Sequence, residues 1–213
     1  MSNENPQTLI QSLQRAIIEL NLAYEATVEG FVRALEMREG EPIGHTHQVT
    51  EITARLAKVV GVGDELIPHL RRGALLHDIG KLGVPESILH KSGMLTDEEW
   101  KAVRLHPQIA YALLSPIVYL VPALDIPYCH HEKWDGSGYP QGLKGTQIPL
   151  AARIFAVVDV WDALISDRPF RKAWPDDQAS NYMREQAGSR FDPQMVEAFP
   201  NAEIKKKVTK ALI

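Results

Sequence analysis

Cysteine is nearly absent. Cys129 stands alone in 213 residues, which excludes internal disulfides and thiolate-rich zinc sites and leaves any metal to nitrogen and oxygen ligands. No apolar run approaches the roughly 20 residues a membrane span requires, so no membrane partner is expected. There is no basic excess either: the formal net charge is -4, whereas nucleic-acid binders carry a concentrated basic footprint. Nucleic acid is therefore not an expected partner, while a small anion remains open because a local Arg and Lys cluster would suffice. Met1 to Gln7 shows no basic stretch leading into an apolar core, so no secretory signal is read and a cytoplasmic location is expected. Alternating strand patterns do not persist anywhere, which predicts an all-α fold in a single domain of ordinary globular composition.

What the chain does have is histidine in company. His130 and His131 are adjacent and run straight into Glu132-Lys133-Trp134-Asp135-Gly136-Ser137-Gly138-Tyr139-Pro140. Paired imidazoles supply neutral nitrogen ligands for a borderline metal, and Gly136 and Gly138 let the backbone approach closely or take φ > 0. Solvated histidines at a helix end are the competing reading, and the remaining elements decide between the two.

From Thr8 to about Arg38, Leu13, Ile17, Leu20, Tyr24, Val28, Phe31 and Leu35 draw one apolar stripe down a long helix, which suits either a two-helix seam with a second copy or packing on the chain's own core. Glu39 to Gly44 interrupts it, and a helix beginning near Ile43 carries His45, Val49, Ile52, Leu56 and Val59 inward. His45 thus sits on an apolar face, as a hydrogen-bonded core residue or as a ligand, with Glu41 four residues before it. After a turn capped by Asp64, Leu66, Leu70, Ala74 and His77 repeat the pattern, and Gly80 is placed to end that helix. His77, Asp78 and Lys81 are gathered at one terminus, where burying the Asp78 carboxylate demands a cation. Thr96 and Glu99 form a capping box for a helix reaching His106, where Pro107 breaks or restarts it; His106 is either a capping residue or a ligand aimed off the regular face. His69 and His90 read as surface residues.

A helix over Pro122 to Glu132 delivers the histidine pair. Pro149 then opens a helix, Leu150 to Leu164, that is apolar all round and holds the unpartnered Asp159 at its middle, for which a metal is the economical partner. Asp162 lies one turn on, as a support or substrate contact. Asp167 to Lys172 forms a basic cluster that is either a phosphate site or a solvated loop. Amphipathic segments at Asp177 to Ala187 and Pro193 to Phe199 close the domain, and Ala202 to Ile213 reads as a basic terminal helix.

The order Glu41 and His45, His77-Asp78, His106, His130-His131 and Asp159 resembles that of the HD superfamily of metal-dependent phosphohydrolases. Leu75 to Pro85 together with His130 to Pro140 narrows the resemblance to its HD-GYP subfamily, with Gly138-Tyr139-Pro140 as the naming triplet. The resemblance covers about Leu35 to Phe199, including Asp167 to Arg171 and Phe191-Asp192-Pro193.

It implies an HD-domain-like helical bundle over residues 35-200, between a long N-terminal helix (1-34) and a C-terminal helix (201-213), hydrolysing cyclic di-GMP at two or three divalent metal ions. Iron is foremost, manganese next, with nickel or zinc also compatible. Carried over residue by residue, His45, His77, Asp78 and Asp159 serve one metal, Asp78 bridges to a second held by His106, His130 and His131, and Glu41 takes the position of a third. Lys81, Asp162, Arg168 and Arg171 then face the substrate, with Asp78 and Lys81 as the catalytic pair and Gly136, Gly138, Tyr139 and Pro140 shaping the loop.

The chemistry fits independently: two cations sharing a carboxylate lower the pKa of a bridging water and clamp a phosphodiester for in-line attack, while Lys81 steadies the developing charge. The expected product is the linear dinucleotide pGpG, with GMP on further cleavage. A homodimer through the first helix, and a diguanylate cyclase or sensory protein as partner, are the associated expectations. The alternatives are a receptor or docking module with negligible turnover, or a hydrolase of another nucleotide.

Overall fold

The computed structural model describes residues 6-40, 44-167 and 171-199, and every named element in it is helical. Helix α1, Pro6–Glu39, is followed by α2, His45–Val59, and α3, Ile67–Leu75; a 3-10 turn, Ile79–Gly83, leads to the short α4, Glu86–Leu89. Next come α5, Asp97–Val103, and α6, His106–Leu114; a 3-10 stretch, Val118–Ala123, precedes α7, Asp125–Cys129. Helix α8 spans Leu150–Ile165, α9 Asp176–Glu185 and α10 Pro193–Ala198.

Helix α8 is the axis of the molecule, as its all-round apolarity predicts. Ile154, Phe155, Val157, Val158 and Trp161 are buried, and the helix packs against α2, α7, α9 and α10. A second apolar cluster joins the C-terminal half of α1 (Val28, Val32) to Leu75, Leu76, Ile79 and α6. The site lies where these two cores meet.

Four expectations change at the level of local structure. Asp64 is not an N-cap: α3 starts at Ile67 after Leu66, with Pro68 in its first turn, and Asp64 is an exposed partner of Lys58 at 3.0 Å. The helix ends at Leu75, so His77 and Asp78 lie in the turn beyond it. Gly80 is not a left-handed cap. It is buried against α6, where a Cβ would stand 1.8 Å from the His106 carbonyl oxygen. The single helix expected over Pro122 to Glu132 is broken, with Pro122 inside the 3-10 stretch and α7 confined to Asp125–Cys129, because each proline removes a backbone donor.

In α1 the stripe divides. Val28, Val32, Leu35 and Glu36 are buried, whereas Leu13, Ile17 and Leu20 are each more than half exposed. Val59, expected inward on α2, is exposed too. The expected C-terminal helix, Glu41 and Arg168 all lie outside the described residues.

Candidate metal centre

The turn after α3, the start of α6 and the end of α7 converge on one point. Asp78, His106, His130 and His131 bring one ligand atom each within 4.8 Å of one another. The capping box expected at Thr96 and Glu99 is present at the start of α5, and Pro107 restarts the chain as α6, which places His106 on the first residue of the new helix.

Local hydrogen bonds set which nitrogen of each ring faces the centre. His77 Nδ1 lies 2.8 Å from the Ala74 carbonyl, His106 Nδ1 2.8 Å from that of Val103, and His130 Nδ1 3.0 Å from that of Ile126. A carbonyl only accepts, so in each case Nδ1 donates, and a neutral ring then turns an Nε2 lone pair inward. His130 is 3% exposed, and burial holds its pKa below the ordinary imidazole value. Its Nε2 is 3.7 Å from Asp78 Oδ1 and 3.3 Å from His106 Nε2. A neutral, buried acceptor aimed at a carboxylate calls for a cation between them, and an oxygen and nitrogen donor set suits a divalent ion of the iron to zinc series. The donors fit the group.

Burial would raise the Asp78 carboxyl, but the charges of Lys81 and His77 outweigh it and hold it well below the usual range. Burial likewise works against protonation of His77, yet the Asp78 carboxylate, 3.1 Å from Nε2, and the charge of Asp159 carry it to about 9. His131 is pushed well down by burial, then by His130 and His106.

Beside the cluster a cavity of about 180 Å³ is lined by Glu36, Glu39, His45, His77, Asp78, Lys81 and Asp159, among others. Asp159 is half-buried there, while Asp162 is the buried carboxylate of α8, 3% exposed. His45 Nε2 sits 2.7 Å from Asp162 Oδ2. Asp162 therefore faces His45 across the helix contact rather than open substrate space, and His45 reaches the cavity wall with its ring held by that carboxylate. Lys81 Nζ lies 2.7 Å from Asp78 and 3.0 Å from Glu39. Arg171 turns back, donating to the Ala163 carbonyl with its guanidinium over Trp174.

The glycine loop folds over the cluster. Tyr139 N donates to the His131 carbonyl at 3.2 Å, and the Tyr139 ring stacks on His131 with centroids 4.7 Å apart. Gly136 takes φ 86°. At Gly138 a Cβ would meet Lys133 N at 2.3 Å, so the close approach itself requires glycine. The peptide between Tyr139 and Pro140 is cis.

Three residues beyond the expected set matter. Buried Glu132 accepts from Gln141 N at 2.7 Å and Leu143 N at 3.0 Å, tying the loop together. Glu36 accepts from Gly44 N and Thr46 N at the start of α2, and Glu39 holds Lys81. Glu36 and Glu39 follow Val32 and Leu35 at helical spacing, and a charged residue continuing an apolar stripe was the available signal.

The HD domain model matches residues 30-195. The chain belongs to the HD domain family. With Gly138-Tyr139-Pro140 in place it is an HD-GYP member. It is 39% identical over 193 residues to the cyclic di-GMP phosphodiesterase response regulator RpfG of Xanthomonas campestris pv. campestris, covering 90% of this chain and 51% of that protein. It is 44% identical over 160 residues to a cyclic di-GMP phosphodiesterase of Pseudomonas aeruginosa, covering 74% of this chain and 38% of that one. The chain thus spans about half, or less, of the length of these relatives. A solved structure, the cyclic GMP-AMP specific phosphodiesterase V-cGAP3 of Vibrio cholerae, superposes with a TM-score of 0.63 at 18% identity, over 87% of this chain and 50% of that one. That likeness supports the all-α HD fold.

Proposed function

We propose that this chain is a metal-dependent phosphodiesterase that opens cyclic di-GMP to linear pGpG, and on further cleavage to GMP. The observation that carries it is the buried His130 Nε2 lone pair facing Asp78 Oδ1 beside His106 and His131. Asp78, His106, His130 and His131 would hold one divalent ion; His45, His77 and Asp159, with Asp78 shared, line the adjoining cavity where a second would sit. Glu41 is the proposed ligand of a third. Iron is the first candidate and manganese the second. Bound there, such ions activate a water and polarise the phosphodiester.

The chain's own groups do the rest. Lys81, pushed upward in pKa because Asp78 and Glu39 outweigh its burial, stays a cation and keeps the Asp78 carboxylate oriented. The backbone carbonyls of Val103 and Ile126 hold the His106 and His130 rings in one tautomer, so those two rings present Nε2 without reorganising. Tyr139 covers His131 and limits the approach of bulk water. Water adds to phosphorus, the bond to the 3′ oxygen breaks and that oxygen takes the proton, which yields a linear 5′-phosphorylated dinucleotide.

The test is anaerobic purification with native metals, elemental analysis of ions per chain, and chromatography of cyclic di-GMP, its hybrid with AMP and simple monophosphates on the same sample. Two or three ions with conversion of cyclic di-GMP support the reading. Metal-loaded protein that binds cyclic di-GMP without converting it makes the domain a receptor, and equal rates on monophosphates move it to another nucleotide.

The exposed half of α1 supports a homodimer, with residues 1-34 as the pairing element. Ile10, Leu13, Ile17 and Leu20 recur at alternating three- and four-residue steps, with isoleucine at a and leucine at d, the choice that favours parallel two-stranded coils; Tyr24, next in the series, stacks on Tyr119 of the same chain. The flanking positions Leu9, Ala16, Ala23, Gln14 and Asn21 carry no charge to oppose it. Ile17→Glu with Leu20→Glu is expected to halve the mass seen by light scattering; an unchanged mass would mean that the stripe does not pair copies.

A further inference from the structure

The site as folded has a cation that the reading above leaves without a task. Lys81 is held by two carboxylates and Arg171 by a backbone carbonyl. Arg104, the residue capping the end of α5, is exposed and lies with its guanidinium 5.5 Å from the centroid of the Tyr139 ring. Among the described residues it forms no ion pair. Tyr139 is the link to the metal centre: it stacks on His131 and lies within the electrostatic reach of Asp78, Asp159, Lys81 and Arg104 together.

We propose that Arg104 grips the second, uncleaved phosphate of a cyclic dinucleotide whose scissile phosphate lies at the Asp78 and histidine cluster. This rests on the hydrolase reading given above. The scissile group takes its countercharge from the centre, but a cyclic dinucleotide carries two phosphodiesters in one ring, and the second anion still calls for a cation of its own. A guanidinium fork whose donors are uncommitted matches phosphate geometry in two hydrogen bonds. The Tyr139 face pre-aims it, because a cation over an aromatic ring loses little freedom on binding. The Tyr139 ring serves as the spacer between the two phosphate positions. Arg104 is a positioning residue that sets substrate class and takes no part in bond making.

The experiment compares Arg104→Ala and Arg104→Lys with the unaltered protein, all metal-loaded, on cyclic di-GMP, cyclic di-AMP and bis(p-nitrophenyl) phosphate, which has a single phosphate. Calorimetric binding of a slowly hydrolysed phosphorothioate analogue of cyclic di-GMP gives a readout independent of turnover. Arg104→Ala is expected to lower kcat/KM for both cyclic dinucleotides by about tenfold or more relative to the one-phosphate diester, chiefly through KM, and to weaken analogue binding by a similar factor. Arg104→Lys should recover part of both, and metal content should match throughout. An unchanged ratio overturns the proposal. A loss on cyclic di-GMP that spares cyclic di-AMP overturns it too, since Arg104 would then read the guanine edge. If the unaltered protein neither binds nor cleaves any cyclic dinucleotide, the hydrolase reading itself falls, a failure visible without any variant.

Discussion

Gly80→Ala tests how the centre is built. Gly80 sits in the 3-10 turn two residues after Asp78, packed on the first turn of α6, and a Cβ there would stand 1.8 Å from the His106 carbonyl oxygen and 2.7 Å from Ala110 N. Both obstacles are backbone, so no rotamer relieves them. Even a tight 3.0 Å contact requires the two segments to part by 1.2 Å, from 3.0 minus 1.8. That displacement separates Asp78 from His106, now 3.2 Å apart, while metal-ligand distances tolerate only about 0.2 Å.

Overpacking against yielding side chains costs ~1–3 kcal/mol; against two backbones the value should reach or exceed about 3 kcal/mol, a fall in Tm of roughly 6–12 °C for a chain of this size. Far-UV circular dichroism should remain helical, and elemental analysis should show loss of the ion bound by Asp78 and His106. A Gly80→Ala protein with unaltered Tm and full metal content would refute the view that this close approach assembles the site.

Three further outcomes follow from the same geometry. Glu132→Gln removes the charge from two backbone hydrogen bonds and turns an amide donor toward one of them, costing ~2–4 kcal/mol locally; hydrogen exchange should accelerate across residues 132-143, and unchanged protection would count against the tether. Phe155→Ala, at a fully buried ring packed on His77 at 4.8 Å, should cost ~3–5 kcal/mol by denaturant melting, and a loss below about 1 kcal/mol would mean that the core collapses around the gap. Removing metal with a chelator should lower Tm, by the equivalent of ~2.7 kcal/mol if the ion was present at a hundred times its Kd; an unshifted melt would show that folding does not depend on an ion between Asp78 and His130.

The features legible in the sequence were those written locally. The capping box at Thr96 and Glu99, the proline start and all-round apolarity of α8, and the adjacency of His130 and His131 each follow from spacing within a few residues. The features that escaped depend on a partner far along the chain. Asp159 and Asp162 lie one turn apart on α8, and only the position of His45, 117 residues away from Asp162, decides that Asp162 is the buried one. Glu132 reads only as the end of the helix expected from Pro122, and its task is set by two backbone N–H groups from beyond Pro140 that fold onto it. Gly80 reads as a helix stop because glycine commonly is one, whereas its role here is set by α6.

The stripe on α1 shows the same limit from the other side. Periodicity identifies an apolar face but carries no information on what covers it, and this helix uses its stripe in two ways. The half from Val28 onward closes the core beside Leu76 and Ile79. It ends in Glu36 and Glu39, which hold the start of α2 and Lys81 respectively. The stretch before Tyr24 stands exposed, while Tyr24 stacks on Tyr119 and Glu25 pairs with Arg72. Through Glu39 the helix is tied to Lys81, and through Lys81 to Asp78. If the proposed dimer forms on the exposed stretch, the Ile17→Glu, Leu20→Glu protein should differ from its parent in kcat as well as in mass; equal turnover in monomer and dimer would show that α1 anchors the site without transmitting to it.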